Sequence, residues 1–183
     1  MATTTYYSYF DSPLGQLYVQ GDGQFLTGLY MPSHKHWSGP QATWQQSDEP
    51  FAAVREQLAE YFAGQRQQFD VPLKLAGTPF QQRVWQELAR IPFGIMITYA
   101  ELARRIGIPT ATRAVGHANG RNPISIIVPC HRVIGANGKL TGYGGGLDKK
   151  QWLLGLERRA TGTEPECLFE AESTRPLAAP TTI

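Results

Sequence analysis

The stretch Ile126-Ile127-Val128-Pro129-Cys130-His131-Arg132-Val133 sets a thiol beside an imidazole and a guanidinium at the end of an apolar run. A thiolate is a strong nucleophile and a soft metal ligand, and a free thiol is also a common core group, so three readings open at Cys130. A metal site needs three or four ligands, and neither Cys130 with His131 nor His117 and Cys167 has a spacing that builds one. A cysteine hydrolase takes its base from a distant histidine and adds an oxyanion hole, which a histidine next in sequence does not reproduce. A thiolate that accepts a group from a bound partner needs only activation and a pocket. His131 as base, Arg132 as cation and Glu157 as orienting carboxylate supply candidates for the activation. Taken by itself, the octapeptide still reads as core.

Cooperation between residues 130 and 131 requires a turn, because on a regular strand they point to opposite faces. Residues 124–128 read as a buried strand that Pro129, lacking an N–H, brings to an end. Ahead of it, Thr78-Pro79-Phe80-Gln81 has the form of a capped helix start, and Thr98-Tyr99-Ala100-Glu101 repeats the capping-box pattern. Tyr99, Leu102, Ala103 and Ile106 give a short helical stripe, Gly107-Ile108-Pro109 ends it, and Ala111, Ala114, Val115 and Ala118 begin another. Two short helices joined by a Gly-containing turn of three to four residues are the helix-turn-helix pattern. The second helix is lined by Ala114, Gly116 and Ala118 and carries Arg113, His117, Asn119 and Arg121. Small residues allow close approach either to a neighbouring helix or to a nucleic-acid groove.

Charge favours the groove. The net charge of +2 conceals a split: residues 1–75 hold four Lys/Arg against seven Asp/Glu, residues 76–160 twelve against four, and residues 161–183 one against four. A segment of +8 between two of −3 suits a polyanionic partner. The first third reads as strands over residues 6–10, 16–20 and 24–31, followed by a loop whose His34 and His36 are expected in solvent. A helix runs from Phe51 to Phe62, and one more strand is expected over residues 68–75. The predicted fold is therefore α+β. A small antiparallel sheet with a packed helix occupies residues 1–75, a mostly helical helix-turn-helix or winged-helix-like unit residues 76–160, and an acidic, flexible tail residues 161–183. No apolar run approaches the roughly 20 residues of a membrane span, and two cysteines build no disulfide framework. A cytoplasmic protein without a membrane or an obligate protein partner is expected.

Pro129-Cys130-His131-Arg132-Val133 resembles the active-site motif of the O6-alkylguanine-DNA alkyltransferases. The surrounding order is similar too: residues 98–103, Arg113-Ala114-Val115-Gly116, Asn122-Pro123, residues 142–146, and Trp152-Leu153-Leu154 before Glu157. The resemblance implies a ribonuclease H-like N-terminal half. It also implies direct repair of O6-alkylguanine, and of O4-alkylthymine, in double-stranded DNA entered through the minor groove, with no cofactor; the metal-binding cysteines that some relatives carry in the N-terminal half are absent here, so no zinc is expected. By resemblance, Cys130 is the acceptor, His131 draws its proton through a water held by Glu157, and Asn122 braces the turn. Arg113 fills the gap left by the flipped nucleotide, and Tyr99 turns the adjoining phosphate and bonds the guanine. The helix positions Ala114, Gly116, Ala118, Asn119 and Arg121 face DNA. The carbonyls of Cys130 and Val133 and the loop at Tyr143 and Gly144 hold the base. Several relatives carry serine where Gly144 stands, so a looser, roomier pocket that admits bulkier alkyl groups is expected. The alternative from another class is a lesion sensor of the alkyltransferase-like type, which lacks the acceptor cysteine.

Overall fold

Aromatic and aliphatic alternation, broken by Gly15 and Gly23 at positive φ, folds the first thirty residues into a meander in the computed structural model, which describes residues 4–32 and 34–162. Strands β1 (Tyr6–Phe10), β2 (Leu17–Gly21) and β3 (Leu26–Tyr30) pair antiparallel, and β4 (Gln45–Gln46) adds a parallel edge, giving the order β3-β2-β1-β4. Leu17, Val19, Leu26 and Leu29 are buried in one core with Val54, Leu58 and Tyr61 of helix α1 (Ala52–Phe62). The rings of Tyr7, Tyr9, Tyr18, Tyr30 and Trp37 pack on one another. The strand expected over residues 68–75 is a single bridge, Leu73 to Leu26. Pro72 can only accept there, so the pairing stops after Leu26 donates to its carbonyl and Lys74 donates to that of Leu26.

Helix α2 (Pro79–Leu88) starts on a complete capping box between Thr78 and Gln81. Helix α3 (Tyr99–Arg105) keeps half of one: Thr98 accepts from the Glu101 amide, but the Glu101 carboxylate turns forward to Arg104 and Arg105. A Schellman turn closes α3. Gly107, at φ 73°, donates to the Arg104 carbonyl and Ile108 to that of Ala103, after which α4 (Thr112–Gly120) begins. The connection, residues 106–111, is longer than the three to four residues expected, because Pro109 and Thr110 form a further turn before α4. Strand β5 (Ile97–Thr98) pairs parallel with β6 (Val133–Ile134), and α5 (Leu147–Thr161) closes the unit on left-handed Gly162. Thr161 thus belongs to a helix; the rest of the expected tail, 163–183, with Cys167, lies outside the described residues. Among the described residues no helix is long and apolar enough to cross a membrane.

The expected strand 124–128 is buried but is not a strand. Only Ile124 bridges, to Leu29 of β3, and residues 125–127 form turns with Ile126 at φ 72°. A branched residue in that region is strained by roughly 1–3 kcal/mol, which the surrounding bonds must offset. The ladder is replaced by Leu29 donating to Pro123, Ser125 to Leu29 and Val128 to Ile124. The sheet of the first half therefore holds the segment that leads to Cys130.

Candidate active site

Asn122 is the centre of that segment. Its Oδ1 accepts from the Ile124 amide at 3.0 Å, while Nδ2 donates to the Val128 carbonyl at 2.7 Å and reaches Cys130 Sγ at 3.1 Å. An amide side chain does what a strand partner would have done and ties the thiol to the same knot. Cys130, His131 and Arg132 then form one 3-10 turn, all buried. Pro129 stops no ladder, because the chain has already turned at residues 125–127; it stands instead as the residue that precedes the 3-10 turn.

Glu157 on α5 gathers the polar groups around this turn. Its Oε1 lies 2.8 Å from His131 Nε2 and accepts from Tyr61 Oη at 2.7 Å and Arg132 Nη2 at 2.8 Å. Its Oε2 accepts from Arg132 Nε at 2.9 Å and the Gly94 amide at 3.0 Å. Burial pulls the Glu157 carboxyl upward, but the hydrogen bonds and charges of His131 and Arg132 reverse this and hold it well below the usual carboxylate range. Burial lowers the His131 imidazole despite the bond and charge of Glu157, so the ring is neutral at neutral pH and Arg132 supplies the lasting positive charge. A carboxylate at Nε2 requires the proton there. Nδ1 then carries the lone pair; it is buried and has no hydrogen-bond partner among the described residues.

Two expectations change. Arg132, read as a cation for the thiol, spends its fork on Glu157 and on the Ile91 carbonyl. Glu157, expected to hold a water, touches the imidazole directly at Nε2, so a relay to the thiol runs from Nδ1. The cation whose charge opposes the rise of the thiol pKa is Lys150. It is buried, donates to the Val133 and Thr141 carbonyls at 2.6 and 2.9 Å, and lies 5.8 Å from the Tyr99 ring centre. Burial lowers it to about 8 against the opposing charge of Cys130. Burial raises the Cys130 thiol, with the Asn122 bond and Lys150 charge opposing. The thiol is neutral at neutral pH, and the imidazole next to it in sequence is neutral as well.

Tyr61 was also missed, though a buried tyrosine on a helix needs a partner for its hydroxyl. Lys150, Leu153, Leu154 and Glu157 share one buried stripe of α5, and two charges on such a face were the available signal.

On α4, Arg113, Ala114 and His117 are exposed, Arg121 follows at the exposed C-cap, and Arg113 has no ion-pair partner among the described residues. Ala118 and Asn119, expected to face DNA, are instead buried. The Trp85 indole donates to the Ala118 carbonyl at 2.9 Å, and Asn119 Nδ2 reaches the Cys130 carbonyl at 3.4 Å, because the helix turns that side toward α2 and the Cys130 loop. Gly116 is half-buried and faces Tyr99, whose ring lies 3.7 Å from where a Cβ would stand. Tyr99, first residue of α3, donates to the Thr141 carbonyl at 3.1 Å. The Val133 carbonyl accepts from Lys150 and Tyr143 is buried, while His34, expected in solvent, is buried against Gly144. Among the described residues no cluster of three His, Cys, Asp or Glu could hold a metal ion.

Comparison with known proteins matches residues 79–159 to the family model described as 6-O-methylguanine DNA methyltransferase, DNA binding domain. Residues 5–75 match the ribonuclease-like domain of the same methyltransferase. A methylated-DNA–protein-cysteine methyltransferase of Mycolicibacterium paratuberculosis is 55% identical over 81% of this chain and 90% of its own length. The constitutive enzyme of that name from Bacillus subtilis is 46% identical over 84% and 95%. The crystal structure of Mycobacterium tuberculosis OGT in complex with DNA superposes with a TM-score of 0.81 at 51% identity, over 85% of this chain and 94% of that one.

Proposed function

The chain belongs to the 6-O-methylguanine DNA methyltransferase family, and from that premise we propose that it repairs O6-alkylguanine in double-stranded DNA by moving the alkyl group onto Cys130. The observation that carries this reading is a buried thiol, tied to Asn122 and followed by the His131–Glu157 pair, in the unit that presents the exposed cations of α4. Residues 1–75 are the scaffold and residues 76–160 the unit that binds and reacts.

O6 of guanine lies on the major-groove edge of a stacked pair, out of reach of a buried sulfur, so the nucleotide has to leave the helix. Arg113, exposed and without an ion-pair partner among the described residues, fills the gap from the minor-groove side. Ala114 lets α4 approach the backbone closely, Gly116 leaves room for the Tyr99 ring beside it, and Arg121 with His117 meets phosphate. The flipped base lies against the Val133 carbonyl, against the Cys130 carbonyl in exchange for its long 3.4 Å bond from Asn119 Nδ2, and against the loop at Tyr143 and Gly144. Tyr99 exchanges its bond to Thr141 for one to the base.

His131 Nδ1 then takes the thiol proton, directly or through one water, and the Glu157 carboxylate stabilises the imidazolium while Lys150 stabilises the thiolate. A C–S bond forms as the C–O6 bond breaks, the electron pair passes to the guanine, and the base regains a proton with help from the Tyr99 hydroxyl. The product thioether has no carbonyl for water to attack, so one molecule repairs one base. O4-alkylthymine presents the same alkyl–oxygen bond and is a second substrate. The protein acts beside the chromosome in a reducing compartment.

Intact-mass measurement after mixing with an O6-methylguanine duplex tests the proposal. One methyl adduct, mapped to Cys130 and absent from Cys130→Ala, is expected. Tight binding without an adduct would leave only lesion sensing.

A further inference from the structure

The loop at residues 142–146 leans on the first half of the chain. A Cβ on Gly144 would fall 2.2 Å from His34 Nε2, 2.7 Å from Cε1 and 2.8 Å from Cδ2, so the imidazole fills the space that a side chain would take. The Lys35 amide donates to the Gly144 carbonyl at 3.3 Å. His34 Nδ1 accepts from the His36 amide at 3.3 Å, which leaves the proton on Nε2, toward Gly144. The Tyr30 and His36 rings pack on the same imidazole at 5.1 and 6.0 Å. One residue on, a Cβ at Gly145 would meet Met31 Sδ at 2.9 Å, and the Tyr143 hydroxyl approaches that sulfur at 4.0 Å. Three consecutive loop residues thus rest on Met31 and His34. At the other end of the loop, Tyr99 Oη holds the Thr141 carbonyl and stands 3.8 Å from where a Cβ of Gly142 would be.

We propose that His34 is a positioning residue that limits the size of the alkyl group the site accepts, by standing behind Gly144 and blocking outward movement of the loop. This rests on the reading that Tyr143 and Gly144 line the substrate pocket. A group larger than methyl must displace a wall. Cys130 and Asn122 are knotted by side-chain bonds of 2.7 to 3.1 Å, whereas Gly144 is tied by one longer bond, from the Lys35 amide at 3.3 Å, so the glycine run is the yielding side and its retreat ends at a buried ring. Close-packed interiors resist even small added volumes, so a fixed ring behind a flexible loop acts as a stop. The glycines do not make the pocket roomier: the space left by the missing side chain of Gly144 is occupied by His34.

The full chain is reacted, under single-turnover conditions, with duplexes carrying O6-methylguanine or O6-benzylguanine. His34→Ala is expected to raise the benzyl-to-methyl rate ratio by about tenfold or more, the effect of relieving one overpacked contact. His34→Gln, which refills the space, is expected to bring the ratio back toward the wild-type value, a rescue that general loosening would not give. Gly144→Ala is expected to slow both reactions in the wild-type background and much less in His34→Ala. A ratio in His34→Ala within about twofold of wild type overturns the proposal. If His34→Ala folds too poorly to assay, additive effects of Gly144→Ala and His34→Gln overturn it instead, and coupled effects support it. Failure of the underlying site reading would look different: the wild-type protein would form no Cys130 adduct with either duplex.

Discussion

Replacing Glu157 by glutamine keeps the shape of the side chain and removes its charge at the point where five donors converge. The new NH2 must stand at one of the two oxygen positions. At Oε1 it would face the Tyr61 hydroxyl, His131 Nε2 and Arg132 Nη2; at Oε2 it would face only Arg132 Nε and the Gly94 amide. The second arrangement is the less damaging and still loses two bonds, one to a buried guanidinium whose side chain is 6% exposed. A lost bond to a charged group costs about 1.5–3 kcal/mol and an unmet buried amide about 1–3 kcal/mol. The sum, about 2.5–6 kcal/mol, brackets the usual penalty of about 3–5 kcal/mol for uncovering one half of a buried ion pair. With a urea slope of about 1–3 kcal/mol per molar, the unfolding midpoint should fall by at least about 1 M. Transfer should slow as well, because the imidazolium formed when His131 takes the thiol proton loses its counter-charge; a loss of about 2 kcal/mol there is roughly thirtyfold in the single-turnover rate. A variant with an unchanged midpoint that reacts within about twofold of wild type would refute the reasoning, since the carboxylate would then neither anchor Arg132 nor assist the base.

Asn122→Leu removes the partners of the Ile124 amide and the Val128 carbonyl and should destabilise the fold by about 2–4 kcal/mol by thermal or urea unfolding, with slower alkylation of Cys130. Lys150→Met leaves the Val133 and Thr141 carbonyls without their shared donor and removes the charge that opposes the rise of the thiol pKa. The pH at which Cys130 becomes reactive toward a small alkylating reagent should therefore move upward. Arg113→Ala should weaken repair of duplex DNA while leaving reaction with free O6-benzylguanine unaltered; equal losses on both substrates would exclude a part in flipping. Burial, with the neighbouring charge of His36, lowers His34 from 6.5 to about 4, so between these values the unfolded chain binds a proton that the folded one refuses. The contribution is zero above pH 6.5 and increasingly unfavourable as pH falls toward 4. The stability difference between wild type and His34→Gln should consequently change by up to about 3 kcal/mol across that window, measured as urea midpoints.

Cys130, His131 and Glu157 could be brought together from the sequence because thiol and base are adjacent and the carboxylate sits on a helix whose period is plain. The helix starts at Thr78 and Thr98 were equally legible, since capping chemistry is local. Residues whose meaning depends on what lies across the molecule were not. The strand pattern at residues 124–128 is sound as an apolar pattern, yet Asn122 bonds the backbone locally and coils the segment. Asn119 looks like a polar residue for a polar partner, but the rotation of α4 was decided by Val115 and Ala118 entering the core, which carried Asn119 inward. Lys150 looked like any surface lysine because two distant carbonyls supply its partners. His34 looked solvated because its loop is polar, and nothing near it in sequence announces Gly144, with which it packs.

The hydrogen bond from Tyr61 to Glu157 spans 96 residues and joins a helix of the first half to the last helix of the second. On a growing chain this is a matter of time. At about 5–20 residues per second, the phenol emerges roughly 5–20 s before its acceptor exists. During that interval the first half also lacks residues 123–125 along β3, so Leu29 of an already formed sheet has an unpaired edge. The two family domains are consecutive in the chain but do not finish one after the other: the nascent chain must keep one open edge in reserve until residues 123–125 arrive, and one unanswered hydroxyl until α5 does.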